Sequence, residues 1–411
     1  MTAIDHPVGL NLSVQVLWNN ISWSDITDDI RSMDLRTCRR NNEGLLFEPG
    51  SLTLVLDNRA RKYDPIYSSG TFFGNLKPGR QVRVYLDSAS AAQTQVWRGW
   101  VDQFHLDYHR SNKDSTVSIT CIDGLSIASL GAIPAGTTPG LTDGENVLNR
   151  LAQIDAAANV STGLGRPGWA DNYSAECAGQ AEWDNSSSHN TLDLCRRAAL
   201  LEQGPLTASL DSNEVHIWPR HWWKLYSEST TIQTTVGDGG LPFQDIRRVF
   251  DSDEIITTAT LVSDGGNQST ATDAAAVTEY GYRHPSASYD RIPARNVEQL
   301  DGAAATIIGI RATEYDRIDE IVVKPGSATG WQQFTVELTL MSRITLTWTP
   351  TSTGSAISVD YFIDGFTHEV TPDDWTTTYS LMPANRFDEA IPGSLFIIGT
   401  SLVGGAHLVG F

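Results

Sequence analysis

Gly163-Leu164-Gly165-Arg166-Pro167-Gly168 has the letters of a dinucleotide-binding glycine loop. That chemistry needs a strand before the loop and a helix starting inside it, so that the helix N-terminus meets a pyrophosphate. Here a helical pattern precedes the motif, Pro167 sits within it, and Trp169-Ala170-Asp171-Asn172 follows without helical periodicity. The segment reads as a loop, and no cofactor is expected. Asp251-Ser252-Asp253-Glu254 has the acid density of a calcium or magnesium site. A helix-flanked calcium loop would continue through Gly to a Glu at its twelfth position. This run enters a strand pattern instead and reads as a solvated turn, as does Asp373-Asp374 before Trp375. His216, His221 and His368 stand in no H-x-x-x-H or H-E-x-x-H arrangement, and no G-x-S-x-G elbow is present. A carboxylate pair for acid–base work would be selected only by geometry. No catalytic, cofactor or metal residue is assigned, and a non-enzyme is expected.

Trp218, Trp222 and Trp223 cluster in VHIWPRHWWKLY. Exposed, they would form a stacking platform for a ligand or partner. Buried, they would cap a hairpin, the reading favoured here.

Acidic groups outnumber basic ones by 49 to 29, a formal charge of −20. This excludes tight binding to nucleic acid through its phosphates, which Lys and Arg must supply. Residues 1–130 hold 13 basic and 14 acidic groups, leaving 16 and 35 beyond, so the acidity belongs to the later two-thirds. No run of about 18 apolar residues could span a membrane. MTAIDHPVGLNLSV lacks the basic start and apolar core of a secretory signal. Cys38, Cys121, Cys177 and Cys195 are scattered, so reduced thiols in a chain assembled in the cytosol are expected.

The elements that must position any function are mostly strands. Val14–Trp18, Ser51–Asp57, Gln81–Asp87, Gln95–Tyr108 and Thr116–Asp123 alternate apolar and polar residues between turn clusters such as Lys77-Pro78-Gly79. Gly131–Gly140 reads as a linker. Thr142-Asp143-Gly144-Glu145 caps a helix carrying Val147, Leu148, Leu151 and Ile154, and Asn190 caps a second over Thr191–Glu202. A hairpin of Leu206–Asp211 with Val215–Trp218 follows. Strands return at Ile255–Ser263, Ala276–Tyr282, Ile318–Lys324, Phe334–Thr349, Ala356–Val370 and Trp375–Leu381, interrupted by one helix behind Pro293. The expected class is mainly β, with an α+β insert: residues 1–130, an insert at 131–240, a second β unit at 241–385, and an apolar segment at 386–411. Ile391–Phe411 could be a last strand pair or a partner-docking tail.

A shift of 262 positions lays the first β unit on the last. Val82 meets Ile344, Val84 meets Leu346, Val101-Asp102 meets Ile363-Asp364, Phe104 meets Phe366, Thr116 meets Thr378, and Ile119 meets Leu381. Alternating strands match easily by chance; a true repeat would give two related barrels bracketing the insert.

Several stretches together resemble the minor tail proteins of long-tailed (siphovirus) bacteriophages, in the tail-hub or baseplate-hub-like group. They are Trp23-Ser24-Asp25-Ile26-Thr27, Pro49-Gly50-Ser51 through Asn58, Tyr63-Asp64-Pro65, Lys77-Pro78-Gly79-Arg80-Gln81-Val82-Arg83 and Arg98-Gly99-Trp100-Val101-Asp102. Later come Glu279-Tyr280-Gly281-Tyr282-Arg283 and Asp364-Gly365-Phe366-Thr367-His368 with Trp375. The resemblance spans about residues 14–384. It departs at Cys38-Arg39-Arg40, where glycines are usual, and at Arg386–Phe411. It implies two tube-like β-barrel domains per subunit and a homotrimeric pseudo-sixfold ring at the virion's tail tip, which closes the tube before infection and passes DNA on ejection. The acid excess of the chain is then expected to line the bore and repel the duplex. The implied partners are the distal tail protein ring, the tape-measure C-terminus, and fibres or a central spike. The alternatives are a receptor- or carbohydrate-binding adhesin, which needs exposed tryptophans, and a wall-degrading hydrolase, which needs paired carboxylates in a cleft.

Overall fold

Leu52, Leu54 and Leu56 are fully buried while Thr53 and Val55 are half-buried, so the period-two pattern of this strand is a covered face and a wet face. In the computed structural model the same pattern runs across a 14-stranded sheet. The structure describes residues 4–5, 9–40, 46–108, 114–135, 147–158, 163–165, 189–212, 214–218, 222–249, 254–263, 265–284, 290, 292–312, 317–350, 354–390, 394–395 and 407–408. Strand residues (44%) outnumber helical ones (25%), the mainly β class expected.

The first unit contributes β1 (Leu10–Val16), β2 (Ile30–Arg36), β3 (Ser51–Asp57), β4 (Gln81–Ser88), β5 (Ala91–Tyr108) and β6 (Ser115–Ile122). They lie in the order β1-β4-β5-β6-β3-β2, all antiparallel. Helix α1 (Gly124–Leu130) follows, capped by Asp123, whose Oδ1 accepts from Ser126 N at 2.9 Å. The other oxygen of Asp123 accepts from Gly50 N at 2.6 Å. A Cβ at Gly50 would lie 2.5 Å from the Arg36 carbonyl, so only glycine admits that approach.

Helices α2 (Val147–Ala158) and α3 (Thr191–Glu202) pack on each other. Beside them stand β7 (Gly163–Gly165), β8 (Leu206–Ala208) and β9 (Glu214–Ile217). The start of the glycine motif is therefore a strand, parallel to β9, rather than the loop expected; Arg166–Gly168 lie outside the described residues.

The second unit takes in β10 (Ile232–Gly237), which falls within the range expected for the insert but pairs with the later strands, then β11 (Asp245–Val249), the hairpin β12 (Thr258–Val262) with β13 (Gln268–Thr272), and helices α4 (Ala274–Tyr280) and α5 (Val297–Arg311). Then come β14 (Arg317–Val323), α6 (Thr329–Glu337), β15 (Arg343–Trp348), β16 (Ile357–Val370), β17 (Trp375–Pro383) and α7 (Asn385–Ala390). Two expected strands are corrected. Ala276–Tyr282 is mostly α4, because Asp273 caps it through Ala276 N at 2.9 Å. Phe334–Thr349 is the end of α6, then a turn with Met341 at φ 65°, and only then β15. α6 lays Trp331 flat on Tyr379 of β17, with ring centroids 5.7 Å apart.

Trp218, Trp222 and Trp223 are buried. Trp222 meets Phe362 of β16 at 4.8 Å, and Trp223 meets Phe387 of α7 at 4.9 Å, edge to face or tilted. They bond the middle segment to the second unit and leave no platform. Ser394–Leu395 pairs with His407–Leu408 in a separate two-stranded sheet; the rest of Ile391–Phe411 lies outside the described residues. Replacing Trp222 with Ala should cost about 3–5 kcal/mol through the cavity left, read as a fall in the denaturant midpoint.

Candidate functional site

The second unit repeats the first strand by strand, in the order β10-β15-β16-β17-β14-β11. Gln81↔Trp100 and Val82↔Gly99 recur 262 residues later as Arg343↔Phe362 and Ile344↔Tyr361. Gly79 N donates to Val101 O (2.7 Å) and Val101 N to Arg80 O (2.7 Å); Met341 N donates to Ile363 O (2.8 Å) and Ile363 N to Ser342 O (2.9 Å). A β-bulge falls at Asp102 in β5 and at its repeat, Asp364, in β16. Matching hydrogen bonds and a matching bulge are more than alternation alone produces. One pairing differs: β1 runs antiparallel to β4, whereas β10 runs parallel to β15.

The two units are sewn into one sheet where β2 pairs with the upper half of β16, Met33–Arg36 against Thr367–Val370. Thr37 extends the join. Its N donates to Phe366 O at 3.0 Å, and Phe366 N donates to its Oγ1 at 2.8 Å. Just beyond, the chain delivers Arg40 into the protein. Arg40 Nε reaches Asp364 Oδ2 and its Nη2 reaches Glu254 Oε1, both at 3.1 Å. Glu254 also holds Arg386 and lies 3.9 Å from Arg317 Nε. All five side chains are at most 6% exposed.

Burial alone would push the Glu254 carboxyl up. The guanidiniums of Arg40, Arg386, Arg311 and Arg317 outweigh it and hold the group well below the usual carboxylate range. Asp364 is pushed up by burial, and Arg40 only partly opposes this. Arg40 therefore joins two buried acids across the boundary between the units.

Most sequence candidates are structural. Asp251–Asp253 lie outside the described residues, and Glu254 is no solvated acid but the centre of this network. Asp373 and Asp374 form the exposed β16–β17 turn, with Asp374 bound to Lys324. His216 is on β9, 3.5 Å from Glu214, and His221 lies outside the described residues. His368 is fully buried, its Nδ1 2.8 Å from Thr377 Oγ1, and burial pushes its pKa down to about 3. Cys38, Cys121 and Cys195 are buried, and burial pushes the Cys38 and Cys121 thiols up. Among the described residues no three His, Cys, Asp or Glu are grouped to hold a metal ion, and no helix is long and apolar enough to cross a membrane.

Arg40→Ala should cost on the order of 3 kcal/mol, since Asp364 would stay buried without its cation. Arg40→Ala with Asp364→Asn should cost less than the two changes summed, in chemical denaturation. His368 carries its proton only when unfolded, so its contribution to stability is complete above about pH 6.5 and falls with pH toward 3, by up to about 1.4 kcal/mol per pH unit. Asp123, pushed up to about 6 by burial, acts in the opposite sense at mildly acid pH. The difference in stability between the wild type and His368→Gln, followed from pH 7 to pH 4.5, isolates the histidine and should shrink as pH falls.

No protein-family model matches the chain, and no curated protein matches it by sequence. Solved structures do share its fold. The tail protein from Neisseria meningitidis MC58 aligns with a TM-score of 0.60 at 12% identity, over 93% of this chain and 100% of that one. The 43 kDa tail protein of prophage MuSo2 from Shewanella oneidensis aligns with a TM-score of 0.52 at 12% identity, over 92% and 97%. At these identities the likeness is one of fold.

Proposed function

We propose that the chain is a structural subunit of a bacteriophage tail, a hub at the tail tip whose copies form a ring continuing the tube. The observation that carries this is a joint made once and left open once. β2 covers the upper edge of β16, burying Phe366, His368 and Val370 to 3%, 0% and 4% exposure. Their repeats on β5 are Phe104 and Leu106, both half-buried, and Tyr108, 53% exposed; no described residue pairs with that edge. The repeat of β2 is β11, which ends the sheet with its outer edge unpaired among the described residues.

Adding β11 of one copy to β5 of the next repeats the β2–β16 joint between subunits. Such a head-to-tail contact closes into a ring when its rotation permits. Two related units per copy make a trimer a ring of six near-equivalent sheets, which fits the two tube-like domains expected for residues 1–130 and 241–385. The wet face of the sheet would line the bore. Its central strands carry Ser51, Thr53, Thr116, Ser118, Thr120, Thr376 and Thr378, with Asp34 opposite Glu369 at the joint. The central strands give passing DNA hydroxyls, with acids at each joint; the cations of this face, Arg83 and Arg98, sit on the flanking β4 and β5. The distal ring, the tape measure and fibres or a spike would be its neighbours. A structural role, rather than an enzymatic one, is proposed.

The bonds of Thr37 to Phe366 mark Phe366, His368 and Val370 as turning their backbone to the joint, and hence Phe104, Leu106 and Tyr108 in β5. Leu106→Pro deletes one donor on that edge and spares the pairing with β6. Light scattering after gel filtration should give a trimer for the wild type and a monomer for Leu106→Pro, with melting temperatures within a few degrees. A monomeric wild type, or a trimeric variant, would overturn the proposal.

A further inference from the structure

Arg83 and Arg98 stand directly opposite each other across β4 and β5, both half-buried. Like charges in that position destabilise a strand pair. Arg83 Nε and Nη2 donate to Gln15 Oε1 (2.9 and 2.6 Å), and Arg98 Nη2 donates to Gln81 Oε1 (3.0 Å). Trp23 lies against both, 4.0 Å from the Arg83 guanidinium and 5.6 Å from that of Arg98. Neutral amides and a ring hold the two cations side by side. Among the described residues no carboxylate is within ion-pair distance of either, and Arg98 Nε is enclosed without a partner.

The second unit shows what this position is built to contain. The repeats of Arg83 and Arg98 are Thr345 and Asp360, again directly opposite. Asp360 accepts from Thr345 Oγ1 at 2.7 Å and from Arg343 Nε and Nη2 at 3.0 and 2.9 Å. The second unit therefore supplies its own acid, whereas the first presents two cations around the same spot. We propose that the Arg83–Arg98 pair docks a carboxylate from an acidic protein segment, seated where Asp360 sits in the second unit. A carboxylate is favoured over a phosphate because the repeat itself uses one there. The inference does not depend on ring formation.

The test uses the full chain with labelled hexaglutamate, inorganic phosphate and a short DNA duplex as separate probes at one ionic strength. Arg98→Gln should weaken hexaglutamate binding at least about tenfold. Arg98→Asp should abolish it while raising the melting temperature by about 1–3 °C, because the new carboxylate pairs with Arg83 in place of a like charge. Hexaglutamate binding that both variants keep, or a lower melting temperature in Arg98→Asp, would overturn the proposal. So would variants that lose phosphate or duplex binding alone, which would move the site to nucleic acid.

Discussion

Arg40 is the tie on which the two halves depend. Ion pairs taken from water repay their desolvation only when geometry and hydrogen bonding are good, and a hydrophobic substitute of equal volume is often as stable. What a charged joint adds is selectivity. Glu254 accepts only an arrangement that brings Arg40, Arg317 and Arg386 together, from three separate parts of the chain. A shifted register of β2 on β16 would leave at least one of these charges buried and unpaired. The β-ladder provides the adhesion, and the charges choose the register.

The two units keep the same strand order while dividing the labour. Asp102 is exposed where Asp364 is buried, and a cation pair stands where the second unit has Asp360. β1 and β10 approach their units from opposite directions. The common part is the meander β4-β5-β6 and its repeat β15-β16-β17, and the edges diverge.

Strands with one wet face were legible in the sequence. Ser51–Asp57 and Gln81–Ser88 alternate because each is covered on one side only. β2 was not legible, because the register shift between Ile30 and Ser32 breaks its alternation at Arg31. α4 is hard to read because Ala276-Val277-Thr278-Glu279-Tyr280 alternates as a strand would, and the cap at Asp273 decides for the helix. Glu254 looked like one of many surface acids, since its partners Arg40 and Arg386 are 214 and 132 residues away. The departure at Cys38-Arg39-Arg40 was visible, but its meaning lay in residues that no local pattern connects to it.

The separation of 329 positions from Thr37 to Phe366 sets a schedule for synthesis. At roughly 5–20 residues per second, β2 leaves the ribosome about 15–65 s before β16 exists to cover it. The first unit can close meanwhile, since β3 to β6 follow within the next ninety or so residues, yet it must wait with a bare strand edge. Arg31, Asp34 and Arg36 on that strand, with Arg39 beyond it, are the charges that keep such an edge from recruiting another nascent chain. Arg31, which breaks the alternation that would mark β2 as a strand, is thus also one of the charges guarding its uncovered edge.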